Sequence, residues 1–273
     1  MMRKLMAFVL LMLAFGALEA AAQGTCTLSV TTLNFGTYTG TALNGTATGT
    51  VVCNGGWQIL MYTGTGAGAT ETTRYMTGPN GTELSYRLFT DSARTNNWGN
   101  TTGNEVTGSG NATVTVYGQV LSGQTVQPGT YVDTMSTATT TFQVTAVIPG
   151  SCTIAASTLA FGTYSGSALS GTSTLTAKCT NLLPYNIGLN AGSGTGATTT
   201  MRKMSRTGGG TLNYSMYQDS GHGSLWGNTI GTNTRASTGN GNSQTFTIYG
   251  LIPASQVTTQ GTYTDTVTVT VTY

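Results

Sequence analysis

The chain has 273 residues, of which only 7% are charged, and its formal net charge at pH 7 is +2. Nucleic acids and anionic membranes are bound through clustered positive charge, so this composition argues against both as partners. The apolar residues fall in alternating runs among 39 glycines and many threonines, a pattern typical of strands. We therefore expect an all-β protein with Gly-rich loops.

Residues 1–22 have the layout of a secretory signal peptide. Arg3 and Lys4 precede an apolar run from Leu5 to Leu18, and Ala20–Ala22 form a small-residue cleavage site. The run is shorter than the ~20 apolar residues that a membrane-spanning helix needs. The sequence therefore predicts a soluble exported protein.

Six strands are predicted in the first half of the chain that remains after residue 22. Their Gly- and Asn-rich spacing is typical of an immunoglobulin-like sandwich, which normally has seven strands. The six predicted strands lie near residues 26–35, 46–53, 57–62, 84–90, 112–118 and 131–136.

The second half of the chain repeats the first. The motif LNFGTYTG at Leu33 recurs as LAFGTYSG at Leu159. Two copies of this length predict two tandem domains, 23–149 and 150–273. Further matches are Arg74 with Arg202, Met76 with Met204, Trp98 with Trp226, Tyr131 with Tyr263, and Asp133 with Asp265.

The four cysteines follow the same repeat. Cys26 and Cys53 are 27 residues apart, and so are Cys152 and Cys179. Of the three possible pairings, the repeat favours Cys26 with Cys53 and Cys152 with Cys179, and export makes disulfides plausible. Metal ligation is the weaker interpretation, because the cysteines are widely spaced and His222 is the single histidine. We expect no metal and no cofactor.

These residues together resemble a known family. The paired cysteines, the FGxY motif, the RxM stretch, the WG and YG pairs and the closing Gly-x-Tyr-x-Asp are similar to the spore coat protein U domain, which occurs in subunits of archaic, Csu-like chaperone-usher pili. The resemblance implies a periplasmic chaperone, an outer-membrane usher and an adjacent pilin as partners. It also implies donor strand complementation, in which each pilin domain lacks its seventh strand and receives one from the N-terminal extension of the next subunit.

A candidate seventh strand for the first domain lies between the two copies. Phe142, Val144, Ala146 and Ile148 are apolar at even positions, whereas Tyr131 and Met135 of the preceding strand lie at odd positions. A period-2 pattern cannot change phase without a turn or bulge. We expect a turn near 136–140 and a strand over 142–148 that folds back onto the first domain. The alternative is that the segment leads straight into the first strand of the second domain.

The second domain is expected to lack its seventh strand. Its last segment alternates Thr with apolar residues and then the sequence ends. We therefore predict an open apolar groove for a donor strand, lined by Val267, Val269, Val271 and Tyr273.

The predicted position of the subunit within a pilus follows from the N-terminal residues of the mature chain. Only three residues separate the predicted signal from Cys26, too few for a donor strand of about five residues or more. The sequence therefore predicts a tip adhesin that receives a strand through its second domain and attaches to a host or abiotic surface through its first, promoting biofilm formation. Alternatives are a spore coat or extracellular matrix protein, and a carbohydrate-binding surface protein.

Candidate surface-binding residues lie in loops at the pole of the first domain opposite the exit to the second. They are Trp57, Trp98, Val106 and Ala138. Because Trp98 recurs as Trp226, and Trp57 lies opposite Tyr185, packing is the favoured alternative for both tryptophans.

Enzyme chemistry is not expected. His222 has no obvious acidic partner, and the Gly-rich stretch at 64–68 resembles a phosphate loop in composition only. Asp133 and Asp265 recur as a pair and are expected to make turn or strand-end hydrogen bonds, as are Asp91 and Asp219. The basic group in the second domain is expected to form a solvated strand face that could contact an acidic subunit; its members are Arg202, Lys203 and Arg206.

Overall fold

The computed structural model describes residues 25–273. The predicted signal peptide, Gln23 and Gly24 lie outside this range. The described residues contain 19 strands and one short 3-10 helix, and no α-helix. They form two tandem immunoglobulin-like β-sandwich domains, as predicted from the repeated strand pattern.

The first domain contains ten strands. Eight of them form one curved sheet in the order β1-β3-β8-β6-β5-β9-β10-β2, and β4 pairs with β7. The strands are β1 Cys26–Val30, β2 Leu33–Thr37, β3 Leu43–Cys53, β4 Gly56–Ile59, β5 Arg74–Thr77, β6 Glu83–Phe89, β7 Val106–Ser109, β8 Ala112–Val120, β9 Gly129–Ser136 and β10 Thr141–Ile148.

The second domain repeats most of this arrangement. Its sheets have the orders β11-β12-β17-β15-β14-β18 and β16-β13-β19. The strands are β11 Cys152–Ala156, β12 Leu169–Cys179, β13 Pro184–Leu189, β14 Arg202–Arg206, β15 Thr211–Tyr217, β16 Arg235–Thr238, β17 Ser243–Ile252, β18 Tyr263–Thr264 and β19 Val269–Thr272.

The predicted strand list of the first domain needs two corrections. The stretch 26–35 is two strands, because the chain leaves the β1–β3 ladder after Val30 and β2 pairs with β10 instead. The sequence reading also missed β5 and β7, which have four residues each. Strands this short carry too few alternations to be recognised by periodicity.

Each domain has one disulfide and one apolar core. The disulfides join Cys26 to Cys53 and Cys152 to Cys179, the pairings that the repeat favours. Both link the first strand of a domain to the end of the neighbouring long strand.

A buried arginine organises the interior of each domain. Arg74 is fully buried and donates through Nε to the carbonyl of Tyr62 and through Nη2 to the carbonyls of Met61 and Trp98. Burial lowers the pKa of its guanidinium, while the negative ends of these carbonyls satisfy its donors.

Arg202 repeats these bonds in the second domain. It donates to the carbonyls of Asn190, Leu189 and Trp226 at 2.8–3.0 Å. The prediction that Arg202 lies on a solvated strand face is therefore wrong, because β14 turns this side chain into the sandwich. Lys203 and Arg206 are half-buried.

The segment after β9 belongs to the first domain. Thr137 donates its N–H to the carbonyl of Thr140, which closes a tight turn, and β10 then runs antiparallel to β9 from Thr141 to Ile148. Its other edge pairs in parallel with β2. Three residues separate β10 from β11, so the alternative of a direct run into the second domain does not describe this segment.

The inward side chains of β10 complete the core of the first domain. Phe142, Val144 and Ala146 are 5%, 0% and 0% exposed, and Ile148 packs at the edge of the same core. Gln143 between them faces solvent. The alternation seen in the sequence is thus the alternation of buried and exposed faces.

Truncating an inward residue of β10 should destabilise the first domain. Phe142→Ala removes a buried aromatic ring and is expected to lower the free energy of unfolding by about 3–5 kcal/mol. Denaturant unfolding followed by the fluorescence of Trp57 and Trp98 would measure the change. The neighbouring exposed variant Gln143→Ala should stay within about 0.5 kcal/mol of wild type. Equal effects of the two variants would contradict the inward packing.

Candidate functional site: an open cleft in the second domain

The second domain differs from the first at one edge. In the first domain, β10 lies between β9 and β2, and β2 is the edge strand of the sheet. The corresponding residues of the second domain, 157–164, form no strand. Among the described residues no strand of the second domain occupies the position of β10. The backbone of residues 157–164 and one edge of β18 are therefore left without a strand between them.

An apolar cleft with a volume of about 820 Å³ lies at this edge. Its walls come from 156–164 on one side and 258–267 on the other, and its floor comes from the inner face of the sandwich. The floor residues are Leu189, Met204, Leu212, Tyr214, Met216, Ile248 and Ile252. Sequence reasoning missed all of these, although each corresponds to a residue of the first domain that lies in its core.

The two copies provide an internal comparison of a covered and an uncovered edge. Leu33, Phe35 and Tyr38 are 0%, 5% and 2% exposed in the first domain, where β10 covers them. Their counterparts Leu159, Phe161 and Tyr164 are all half-exposed. The cleft is thus the space that one strand fills in the first domain.

Two of the four predicted groove residues line the cleft. Val267 and Val269 do, whereas Val271 and Tyr273 lie outside it. The reason is that the last strand changes sheets: β18 pairs with β14, but β19 pairs with β13 in the other sheet. Val271 packs on the core from there, and Tyr273 is 60% exposed.

Asp265 provides the one carboxylate in the lining of the cleft. It accepts hydrogen bonds from the N–H and hydroxyl of Ser193, both at 2.7 Å, from the hydroxyl of Tyr214 at 2.8 Å and from the N–H of Thr266 at 2.7 Å. Asp133 in the first domain accepts three corresponding bonds, from the N–H and hydroxyl of Thr65 and from the hydroxyl of Tyr86. Each aspartate therefore holds a loop against the sandwich. Asp265 does so directly after the end of β18, as predicted, whereas Asp133 lies within β9 and not at a strand end.

The Gly-rich stretches bind these aspartates. Gly64 and Gly192 have φ of +84° and +82°, a left-handed conformation that glycine adopts without strain. A Cβ at either position would collide with the carboxylate of Asp133 or Asp265. The stretches thus wrap around an anion that the chain itself supplies.

The hydrogen bonds make Asp265 more acidic than usual. Partial burial raises the pKa of its carboxyl, but the donors from Ser193, Tyr214 and Thr266 outweigh burial, and the net pKa is lowered. Burial and the bond to Asp265 also raise the pKa of the Tyr214 hydroxyl, which stays protonated as a donor.

The lowered pKa predicts a loss of stability in acid. A carboxyl whose folded pKa is depressed stabilises the fold above its unfolded pKa of about 3.9, and this contribution is lost as the pH falls through the folded pKa. Asp265→Asn should cost about 1–2 kcal/mol at pH 7 and converge with wild type in acid. Denaturant unfolding across pH, followed by Trp226 fluorescence, would test this. Parallel pH curves for both proteins would contradict it.

The predicted surface residues of the first domain divide into exposed and buried ones. Ala138 is exposed in the β9–β10 turn, and half-buried Trp57 lines a small cleft of about 60 Å³ with it. Val106 is half-buried on β7, opposite Ile59. Trp98 does not belong to the surface-binding set: it is 1% exposed and donates its indole N–H to the carbonyl of Ile59, so it packs in the core, the alternative that its recurrence as Trp226 favours.

The remaining polar residues make local contacts. Asp91 accepts bonds from Thr95 and Asn96, and Asp219 accepts bonds from Gly223 and Ser224, so each closes a loop. The ring of His222 packs edge-on against Tyr217.

In residues 25–273 no group of metal-ligating side chains comes together. The same range contains no helix with the length and hydropathy to cross a membrane.

Comparison with known proteins identifies a matching family and a relative that covers half of the chain. The family model of the Spore Coat Protein U domain matches twice, over residues 12–137 and 138–270. Protein U of Myxococcus xanthus is 35% identical in an alignment of 156 residues that covers 50% of this chain and 86% of Protein U.

Two solved structures show weaker similarity. The CsuC–CsuE chaperone and tip adhesion subunit complex of Acinetobacter baumannii matches with a TM-score of 0.39 and 18% identity, covering 91% of this chain and all of that one. A mutant form of the CFA/I adhesin CfaE of enterotoxigenic E. coli matches with a TM-score of 0.33 and 11% identity, covering 78% of this chain and 81% of that one. TM-scores of this size do not establish a common fold, so family membership depends on the sequence match. With two copies of the pattern spanning nearly all of its length, the chain belongs to the Spore Coat Protein U domain family.

Proposed function

We propose that this protein is a subunit of a chaperone-usher pilus that accepts one strand from a neighbouring pilin through its second domain. The observation that carries the proposal is the contrast between the two copies. The residues that β10 buries in the first domain have counterparts that line an open cleft in the second. An apolar floor and unpaired backbone on both sides fit a strand better than a small molecule.

The first domain supplies a template for the inserted strand. There the strand runs antiparallel to β9, which corresponds to β18 and the residues after it, and parallel to β2, which corresponds to residues 157–164. The occupant should therefore be an extended segment of about eight residues with apolar side chains at alternate positions. A periplasmic chaperone would cover the same cleft before assembly at the usher, because an exposed apolar edge favours aggregation.

The first domain already holds its own strand, so the described chain offers one such acceptor site. A subunit of this kind fits the end of a fibre, with its first domain free to contact a host or abiotic surface and to promote biofilm formation. The turn at 137–140, in which Ala138 and Thr139 are exposed, and the half-buried Trp57 lie at the pole farthest along β10 from the second domain. This arrangement supports the role of tip adhesin.

A structural role in a coat or extracellular matrix is the second candidate. The 35% identity to Protein U of Myxococcus xanthus favours it. In that role the same cleft would join copies of a coat protein. A carbohydrate-binding role is less favoured, since the indole N–H of Trp57 is already bonded to the carbonyl of Gly110 and its ring is half-buried.

A peptide with the sequence of residues 141–148 should bind the second domain. At about 100 times its dissociation constant it would stabilise that domain by about 2.7 kcal/mol, which raises the unfolding temperature by roughly 10 °C. Differential scanning fluorimetry of the mature protein would measure the shift.

Two matched peptides control for this result. Asp in place of inward Val144 and Ala146 should abolish the shift, because two charges would enter an apolar cleft. Asp in place of outward Gln143 and Thr145 should preserve most of it. The strand-acceptor proposal fails if no peptide stabilises the protein, or if both Asp peptides act alike.

The adhesin role predicts that the pole of the first domain contacts the surface. Trp57→Ala combined with Ala138→Asp should reduce binding of the purified protein to hydrophobic plastic several-fold, because both changes remove apolar area from this pole. Adsorption measured with a quartz balance on plastic and on glass would show it. The double variant Thr163→Ala and Thr259→Asp, which alters the second domain instead, is the control. An equal loss for both variants would contradict the assignment.

A further inference from the structure

An inserted strand would leave the cleft at one end. That end carries a positive charge in the second domain, whereas the corresponding end of the first domain is uncharged. In the first domain, Ile148 is the last residue of β10 to pair, and its partner is Gly129. A Cβ at Gly129 would meet the ring of Pro79, so an uncharged proline covers this end. The corresponding glycine of the second domain is Gly261, which has the same φ of +150°.

Arg206 replaces the proline at that end. A Cβ at Gly261 would meet Cδ of Arg206, so the arginine side chain lies against the glycine. Its counterpart in the first domain is Gly78, so the charge is new to the second copy. Arg206 lies on β14 with Arg202 and Met204 at alternate positions, which turns all three toward the same face.

Arg206 also has an unsatisfied donor. Its Nε is one of two buried side-chain polar atoms in the described residues that have no hydrogen-bond partner. An unpaired donor of a charged group is costly when it is buried, and such groups are rare in folded proteins. The remaining polar atom is the Oδ1 of Asn97 in the first domain, far along the chain from the cleft.

We propose that Arg206 binds a carboxylate of the incoming chain, located in the residues that directly follow the inserted strand. This inference rests on the strand-acceptor function proposed above. The register of β10 places the equivalents of Pro149 and Gly150 just beyond Gly261, where an acidic side chain can reach the guanidinium. The charge of the acceptor domain favours the same partner, since from Gly150 onward the chain has five basic and two acidic residues.

The test compares two peptides on the mature two-domain protein. The first has the sequence of residues 141–151, and the second carries Gly150→Glu. At low salt the Glu peptide should bind about fivefold more tightly, the size of a partly buried charge pair, and the difference should shrink at high salt. Fluorescence anisotropy of labelled peptides would measure both dissociation constants.

Variants of the protein assign the effect to Arg206. Arg206→Gln should remove the preference for the Glu peptide, and Arg206→Lys should retain part of it. Lys203→Gln, which alters a cation on the opposite face of β14, should leave the preference unchanged.

The outcomes separate the two proposals. Equal binding of both peptides to the wild type, or a preference that survives in Arg206→Gln, would overturn the role of Arg206 while leaving strand acceptance intact. Failure of both peptides to bind would overturn strand acceptance itself, and the role of Arg206 with it.

Discussion

The structure depends on one constraint, which is that a sandwich edge must be paired along its backbone and covered on its apolar face at the same time. In the first domain a single segment, β10, meets both needs: it pairs with β9 and β2 and buries Phe142, Val144 and Ala146. In the second domain neither need is met by the described residues. Residues 157–164, which correspond to β2, form no strand in the second domain, where the strand that would pair with them is also missing from the described residues.

The second domain keeps its shape because its polar interior does not depend on the missing strand. Arg202 holds together the carbonyls of three segments, at residues 189–190, 199 and 226, and Asp265 holds the loop at Ser193 and the hydroxyl of Tyr214. Both sets of bonds match those of the first domain almost atom for atom. A satisfied polar network specifies a unique arrangement, so the floor of the cleft is already formed before any strand arrives.

Much of this could be predicted from the sequence, because the chain contains its own comparison. The repeat indicated the two domains and the cysteine pairs, and the phase change after Met135 indicated the turn and the strand that follows. The burial of Arg202 and the change of sheets at β19 could not be predicted, because each depends on contacts between segments that are distant in the sequence. The cleft floor was missed for a related reason: its residues resemble an ordinary core until the covering strand is removed.

The short connection between the domains has a mechanical consequence. Only Pro149, Gly150 and Ser151 separate β10 from β11, and β11 is anchored to β12 by the disulfide between Cys152 and Cys179. A tensile force applied to the second domain is therefore transmitted to the first domain at Ile148 and acts along β10. If the opposite pole is held, the load shears the ladders on both edges of β10, and many hydrogen bonds resist together instead of opening one after another. The strand that completes the fold of the first domain is thus also the element that transmits tension through it.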